Sequence, residues 1–426
     1  MSPTRFISLA SGLALSFSAA LAGQNASLDL NRAYGAELQA DAQARSSSLL
    51  DGGATYANGE HILTDGSGDN TLALGGTAQF RYRLGLRSDD PPIGADNGTT
   101  MGFDFGAVRA WAHGNVYASN MHYRIQTLFT NDGTFVLEDA YAVYDMDNGL
   151  SLKFGQFKLP FLREENIDLE RQLAVDRSET NYFFTQGYSQ GIQFMYAQDQ
   201  WRLQGGFSDG TLSGNTAYNS EGEADYAFNA RFDYMFAGTD WNRFEQFTSW
   251  MSAPTDLAGV AGAALIYESF GNTNPSGTEV TNFMYTVDCA LQGQGWNAYG
   301  AVVGNTEDVD GADSMSNFGV VLQGGIFINN QVELFGRFDS IFLDLPDGST
   351  QDDNLMFITA GANYYLSPES HAARFTADIV FSLNETGFDD GGSNLDTFLA
   401  GGTQTGILGD PSSGEVVLRL QASFIY

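Results

Sequence analysis

The chain has 426 residues, with 50 Gly, 32 Phe, a single Cys and a formal net charge of −33. So acidic a composition excludes nucleic-acid binding, which needs a basic face; one Cys excludes an intrachain disulfide framework and argues against a metal–thiolate site. Mean hydropathy is −0.19, and no apolar run after the N-terminus approaches the ~20 residues of a spanning helix. Abundant Gly and aromatic residues at this hydropathy suit a β-barrel with one apolar and one polar face.

Met1–Ala22 reads as a secretory signal. Arg5 supplies the positive start, apolar and small residues follow, and Ala20-Leu21-Ala22 is an A-x-A cleavage site. Gly23-Gln24 follows where a lipid-anchored protein would need a Cys. Asn25–Leu50 reads as a short amphipathic helix, with Tyr34, Leu38 and Leu49 on one stripe; it packs at a barrel mouth or, alternatively, serves as an oligomerising or wall-contacting helix. Residues 23–70 are thus an N-terminal segment ending in a Gly/Asp-rich linker, Asp51–Asn70.

From Thr71 the period changes to two. Leu72, Leu74, Ala78, Phe80, Tyr82, Leu84 and Leu86 share one face; Thr77, Gln79, Arg81, Arg83 and Arg87 share the other. Alternation this long exceeds a soluble strand and marks a wall between lipid and water. It recurs along the chain, most cleanly in Tyr226/Phe228/Ala230/Phe232/Tyr234/Phe236, and ends in Glu415–Tyr426, an amphipathic strand closing on an aromatic residue. The expected fold is an all-β, sixteen-stranded antiparallel transmembrane barrel over residues 71–426. Connections alternate between short ones, such as Gln198–Gln200 and Gly293–Gly295, and long ones, such as Ser88–Thr100 and Ser208–Ala224. That asymmetry fits short periplasmic turns and long outer loops. The exception is Ala237–Gly259, too long for a tight turn and read as a short helix on the periplasmic rim.

Parity places Arg81, Arg83, Arg87, Arg124 and Lys153 on the inner face as pore-lining cations, with Asp104 and Asp139 as acidic exceptions. Arg109 joins them only if Gly106 makes a bulge. Later strands put Asp225, Asp233, Asp288, Glu333, Asp339 and Asp378 inward against Arg231, Arg337, Arg374 and Arg419. Two readings stay open: mixed charge that solvates a wet lumen, or a transverse field, basic on the N-terminal wall, that favours polar solutes.

The longest irregular piece is Phe161–Gly187, between alternating strands ending near Phe157 and restarting near Tyr188. A loop of that length in a compact β protein is usually functional. The runs AVRAWAHGNVY (Ala107–Tyr117), LEDAYAVYD (Leu137–Asp145), GQFKLPF (Gly155–Phe161) and SQGIQ (Ser189–Gln193), in that order and spacing, resemble the phosphate-selective porin O/P family, as does WNRFEQFTSW within the long connection. The resemblance spans Thr71 to Tyr426. It implies a trimeric outer-membrane porin passing small hydrophilic solutes and ions, phosphate or other anions among them. It also implies a third loop folded into the lumen, here carrying Arg163, Glu164, Glu165, Asp168, Arg171 and Arg177 as constriction residues. The terminal aromatic strand resembles the signal read by the barrel assembly machinery. The expected partners are therefore that machinery, outer-membrane lipid and lipopolysaccharide, the solutes, and two further copies of the chain; no cofactor is expected. One departure bears on the solute: the chain has only Lys153 and Lys158, where phosphate-selective members line their pore with a Lys cluster and an Arg ladder.

Competing classes are weaker. A barrel enzyme needs a His beside an acid or nucleophile at the rim or outer face, whereas His113, His122 and His371 fall near short turns and His61 precedes the barrel. A structural barrel tethering the envelope through Asn25–Leu50 is the alternative function. The acidic runs DVDGAD (Asp308, Asp310, Asp313) and DDGGSNLD (Asp389, Asp390, Asp396) miss the full calcium-loop pattern and read as solvated tips.

Overall fold

The computed structural model describes residues 53–57, 59–87, 98–131, 133–146, 148–218, 220, 222–271, 277–345, 353–386, 405–408 and 414–426. The signal Met1–Ala22, the helical reading of Asn25–Leu50 and the DDGGSNLD run lie outside them. One compact unit comprises Thr55–Ile62 and Asp69–Tyr426; the described part of the other includes a turn in which Asp65 Oδ1 accepts from Gly68 N at 2.8 Å.

Sixteen antiparallel strands form the barrel: β1 (Thr71–Leu86), β2 (Thr99–Val116), β3 (Ala118–Phe129), β4 (Phe135–Asp145), β5 (Leu150–Lys158), β6 (Tyr188–Ala197), β7 (Trp201–Ser208), β8 (Tyr226–Ala237), β9 (Ala258–Phe270), β10 (Val280–Gly293), β11 (Trp296–Val309), β12 (Met315–Asn329), β13 (Val332–Phe342), β14 (Asn354–Tyr365), β15 (Ala373–Ser382) and β16 (Val416–Ile425). Each pairs with the next, and β16 returns to β1, with Val416 opposite Leu86 and Ile425 opposite Thr77. Closure leaves no open edge in the wall, the condition for a sheet that crosses a membrane. The apolar face of the period-two pattern points outward: Phe80, Phe103, Ile192, Phe228, Phe232, Leu322, Ile358 and Leu420 are all exposed.

Bulges in β2 and β4 shift that parity. Gln79 pairs with Ala107 and Phe80 with Phe105, so Gly106 is skipped. A Cβ at Gly106 would sit 2.0 Å from the Arg81 guanidinium, so a side chain there would push Arg81 off its place beside Asp176. Next door, Gln126 pairs with Asp139 and Thr127 with Leu137, so Glu138 is skipped. The bulge condition for Arg109 is met. Both displaced segments turn inward, and Arg109 Nε lies 2.7 Å from Glu138 Oε2.

The lumen is filled on one side. Residues 161–187 and the long connection 238–257 pack against the inner faces of β8–β16. One apolar cluster joins Leu159, Phe161, Leu162 and Phe184 to Ile266, Val303, Ile341, Phe357 and Val380. A second joins Ile167, Leu173 and Ala174 to Phe244 and Phe247 and to Met235, Val260, Tyr299, Val321 and Phe335. Burying such side chains is worth about 1.5–3 kcal/mol each, which explains apolar residues on a face expected to be wet. The long connection is not a rim helix: it holds a four-residue 3-10 turn, Trp241–Phe244, and buries Phe244 and Phe247 within the barrel.

Candidate functional site: a polar passage beside the inserted segment

Pro160 ends β5, since it lacks the N–H a ladder needs, and the chain turns into two short helices, α1 (Arg163–Asn166) and α2 (Glu179–Phe183), with a 3-10 turn, Leu169–Arg171, between them. Ser178 caps α2, its Oγ accepting from Asn181 N at 3.0 Å. Arg177 holds the segment's shape, donating from Nε to Glu164 O and from Nη2 to the carbonyls of Glu165 and Ile167. Gln172 Nε2 donates to Glu164 O and Ile167 O, both at 2.9 Å.

Inner-wall groups bind this segment along its length. Arg163 Nε donates to Asp288 Oδ1 at 2.6 Å, and its Nη2 donates to Asp233 Oδ1. Arg374 Nη1 reaches Gln172 O at 2.7 Å, Asn363 Nδ2 reaches Leu173 O at 3.0 Å, and Arg337 Nη1 reaches Asp176 O at 2.8 Å. Val175 N donates to Asp378 Oδ2 at 2.9 Å and Thr180 N to Asp339 Oδ2 at 3.2 Å. The alternating charges on β8–β16 therefore neither solvate a wet wall nor face a solute. Arg231, Asp233, Asp288, Glu333, Arg337, Asp339, Arg374, Asp378 and Arg419 are all buried under the segment or in ion pairs.

The residues singled out in the sequence separate into two groups. Arg81 is on the inner wall but only 1% exposed; its Nη1 donates to Asp176 Oδ2 at 2.9 Å and its Nη2 to Val175 O at 3.1 Å. It anchors the segment and does not face open space. Glu164 is buried too, accepting from Ser178 N at 2.8 Å and Ser178 Oγ at 2.7 Å. Glu165 lies 3.2 Å from Lys158 Nζ and 3.4 Å from Arg177 Nη1. Burial alone would raise its carboxyl pKa, but Arg177 and Lys158 outweigh that and hold it at about 2. Arg163, Glu164, Glu165 and Arg177 are thus the segment's internal and wall-side ties, because each found its counter-charge within reach on folding.

Arg83, Arg124 and Lys153 are half-exposed on the inner wall, as is Arg87 at the end of β1. The side chain of Arg83 is 29% exposed and its Nη2 donates to Asp104 Oδ2. That of Arg124 is 24% exposed, with Nε 3.2 Å from Asp139 Oδ2 and the guanidinium 5.9 Å from the Trp111 ring. Lys153 has no ion-pair or hydrogen-bond partner among the described residues; its Nζ lies 4.8 Å from the Tyr141 ring centre and 4.9 Å from that of Phe157. A cation over ring faces is attracted by their quadrupoles yet keeps its charge unneutralised. Inner residues Arg202 and Gln204 of β7 are half-exposed as well. Recesses of about 570 Å³, lined in part by Arg83, Asp104, Thr130 and Asn131, and about 250 Å³, lined in part by His113, His122, Arg124 and Tyr141, fall on this same arc.

On the segment, Asp168 and Arg171 are the half-exposed charges, beside exposed Asn166. Burial would raise the Asp168 pKa, but Arg124 first, then Lys158, Arg109 and Arg171, bring it below the usual carboxylate range. Arg124 of the wall and Asp168 of the segment thus sense one another.

Sequence reading missed Glu138, which accepts from Arg109 Nη2 at 2.7 Å and from Gln126 Nε2 at 2.8 Å. Strict parity put it on the lipid face. A lone Glu beside Asp139 in an otherwise apolar strand face was the available signal for a bulge. Two His–acid pairs also form: His113 with Glu60 at 2.9 Å and His122 with Asp145 at 2.7 Å, at the short-turn end.

The model of the family described as phosphate-selective porin O and P matches residues 80–250, from β1 through the inserted segment to the long connection. The barrel is an outer-membrane porin. Solved structures agree on the fold. An anion-selective porin from Comamonas acidovorans is 9% identical at a TM-score of 0.56, covering 84% of this chain and 100% of that one. The outer membrane channel DcaP of Acinetobacter baumannii is 14% identical at 0.56, covering 84% and 97%. OmpT of Vibrio cholerae in a trimer form is 11% identical at 0.53, covering 83% and 99%. No curated protein sequence matches the chain. The porin is a passive outer-membrane channel, and the half-exposed arc opposite its inserted segment is the candidate path for solutes.

Proposed function

We propose that this porin passes small hydrophilic solutes along the arc of β1–β7, with an eyelet formed by Arg124, Asp139 and Lys153 on the wall and by Asp168 and Arg171 on the inserted segment. Arg83 and Asp104 border the path toward the outer loops. The single observation that carries this reading is the contrast in exposure: the inner charges of β8–β16 are buried, whereas Arg83, Arg124, Lys153 and Arg202 on β1–β7 are half-exposed. Opposite charges across the eyelet orient water and polar solutes. Lys153, with no carboxylate partner among the described residues, tips the balance toward small anions, phosphate among them, in spite of the net charge of −33. Exposed charges farther from the eyelet than the Debye length, about 8 Å at physiological salt, are largely screened. Catalysis and a cofactor form no part of this reading. A homotrimer embedded in outer-membrane lipid and lipopolysaccharide, inserted by the barrel assembly machinery through the Phe424–Tyr426 end, completes it.

The test is planar-bilayer recording of purified protein in asymmetric KCl and potassium phosphate. The reading requires a stable conductance whose reversal potential moves toward cations in Lys153→Ala and Arg124→Ala. Reversal potentials identical to wild type in both variants would remove the eyelet.

A further inference from the structure

The inserted segment descends from the outer-loop end, and a second segment meets it. The connection between β8 and β9 is fixed to the periplasmic turns around it. Trp241 Nε1 donates to Asp199 O at 3.0 Å, Gly295 N donates to Trp250 O at 2.9 Å and Ser249 Oγ donates to Gly293 O at 2.6 Å. Thr248 Oγ1 bonds His371 Nε2 at 2.9 Å, and Ser252 N donates to Glu369 Oε1 at 2.8 Å. Anchored at so many points, this connection has little freedom of its own.

From that base it reaches the eyelet. Phe247 N donates to Arg171 O at 3.1 Å. The Phe247 ring packs 4.7 Å from that of Tyr299, and Phe244 and Phe247 share one buried apolar cluster with Ile167, Leu173 and Ala174. Arg171 closes the 3-10 turn whose N-cap is Asp168. The backbone that carries both half-exposed charges of the segment is therefore held from the periplasmic side.

We propose that Phe247, with Phe244, is a positioning residue for the constriction: the periplasmic connection clamps the turn Asp168–Arg171, and so fixes where its two charges stand relative to Arg124 and Lys153. This rests on the eyelet described above and assigns it a second control point, on the opposite side of the membrane from the loop's root. Loosening the clamp frees the turn to wander in the lumen, since the hydrogen bond from Phe247 N and the apolar contacts beside it hold this stretch from below. Wandering charges in a narrow bore register as current noise and altered selectivity. A side chain that merely filled the barrel would register only in stability.

The experiment compares Phe247→Ala and Phe247→Leu with wild type in planar bilayers, after heat-modifiable gel migration has shown a folded barrel. Phe247→Ala should raise open-channel noise and conductance several-fold and shift the anion-to-cation permeability ratio, and Phe247→Leu should fall between it and wild type. If Phe247→Ala does not assemble, Phe247→Leu alone decides by the same readouts. Wild-type noise and reversal potential in a folded Phe247→Ala barrel, or in Phe247→Leu when it alone assembles, would overturn the clamp even if thermal stability dropped. A wild-type protein insensitive to Lys153→Ala and Arg124→Ala would instead sink the eyelet itself, so the two failures are distinguishable.

Discussion

Arg81 on the first barrel strand and Asp176 on the inserted segment form a 2.9 Å ion pair from which water is excluded, and Arg419 on the last strand stands 3.6 Å from the same carboxylate. The segment is thus tied to the seam where β16 closes on β1. Removing one partner of a buried pair leaves an uncompensated charge, which costs about 3–5 kcal/mol. Asp176→Ala should therefore lower the thermal midpoint of the detergent-solubilised barrel, and Arg81→Met with Asp176→Leu should recover much of the loss. A single variant as stable as wild type would show that the pair holds nothing.

Selectivity should follow exposure and not parity. Lys153→Ala should shift the permeability ratio toward cations by roughly fivefold, since a unit charge at about 4 Å is worth about 1 kcal/mol even in water. Neutralising Asp308, at the exposed end of β11, together with Asp310 and Asp313 in the turn after it should leave the ratio nearly unchanged in bilayers at physiological salt. The reverse ranking would place control in the outer loops.

Acid should loosen the segment through Glu165. Its pKa is depressed from 4.5 to about 2 because Arg177 and Lys158 outweigh burial. A carboxyl depressed on folding stabilises the fold fully above its unfolded pKa, and that contribution is lost as pH falls through the folded value. The window is therefore from about pH 4.5 down to about pH 2. Glu165→Gln should be less stable than wild type at neutral pH and show a flatter loss across that window, as read by thermal melts. Parallel pH profiles for the two proteins would contradict the assignment.

The C-terminus closes the seam as well as ending the chain. Tyr426 N donates to Gly76 O at 2.9 Å, and Gly76 N donates to Tyr426 O at 2.6 Å. A Cβ at Gly76 would stand 2.7 Å from both Arg109 O and the Tyr426 ring. Gly76→Val and deletion of Phe424–Tyr426 should each lower the amount of heat-modifiable barrel in outer membranes several-fold, with normal conductance in molecules that insert. Full assembly of both would remove this role.

The strand count and the outward face were legible in the sequence because lipid on one side and a filled or wet lumen on the other impose a period of two. Gly106 shows the limit of parity. Parity predicted an inward Arg109 only on condition of a bulge, and it put Glu138 on the lipid face, where one charge in an apolar row was the only mark of the second bulge. Parity also tells which way Arg81 or Asp288 points, but not what covers it. Covering was decided by tertiary packing of residues 161–187 and 238–257, whose irregular sequences carry no period. In hindsight the inward Met235, Val260, Val321 and Phe335 announced a dry wall, since water-facing positions would not hold them. Glu164, Glu165 and Arg177 looked like pore charges because sequence cannot show that their counter-charges lie within a few residues in space.

The claim that solutes pass along β1–β7 while β8–β16 are sealed is tested most directly by cysteine accessibility. In a Cys289→Ser background, Lys153→Cys and Gln204→Cys place a thiol on the half-exposed arc, and Thr286→Cys and Thr376→Cys place one on the buried arc. A charged, water-soluble methanethiosulfonate reagent added during bilayer recording should step the current down in the first two and leave the last two unchanged. Block at Thr286→Cys and Thr376→Cys, with none at Lys153→Cys and Gln204→Cys, would put the passage on the other side of the barrel and contradict the account.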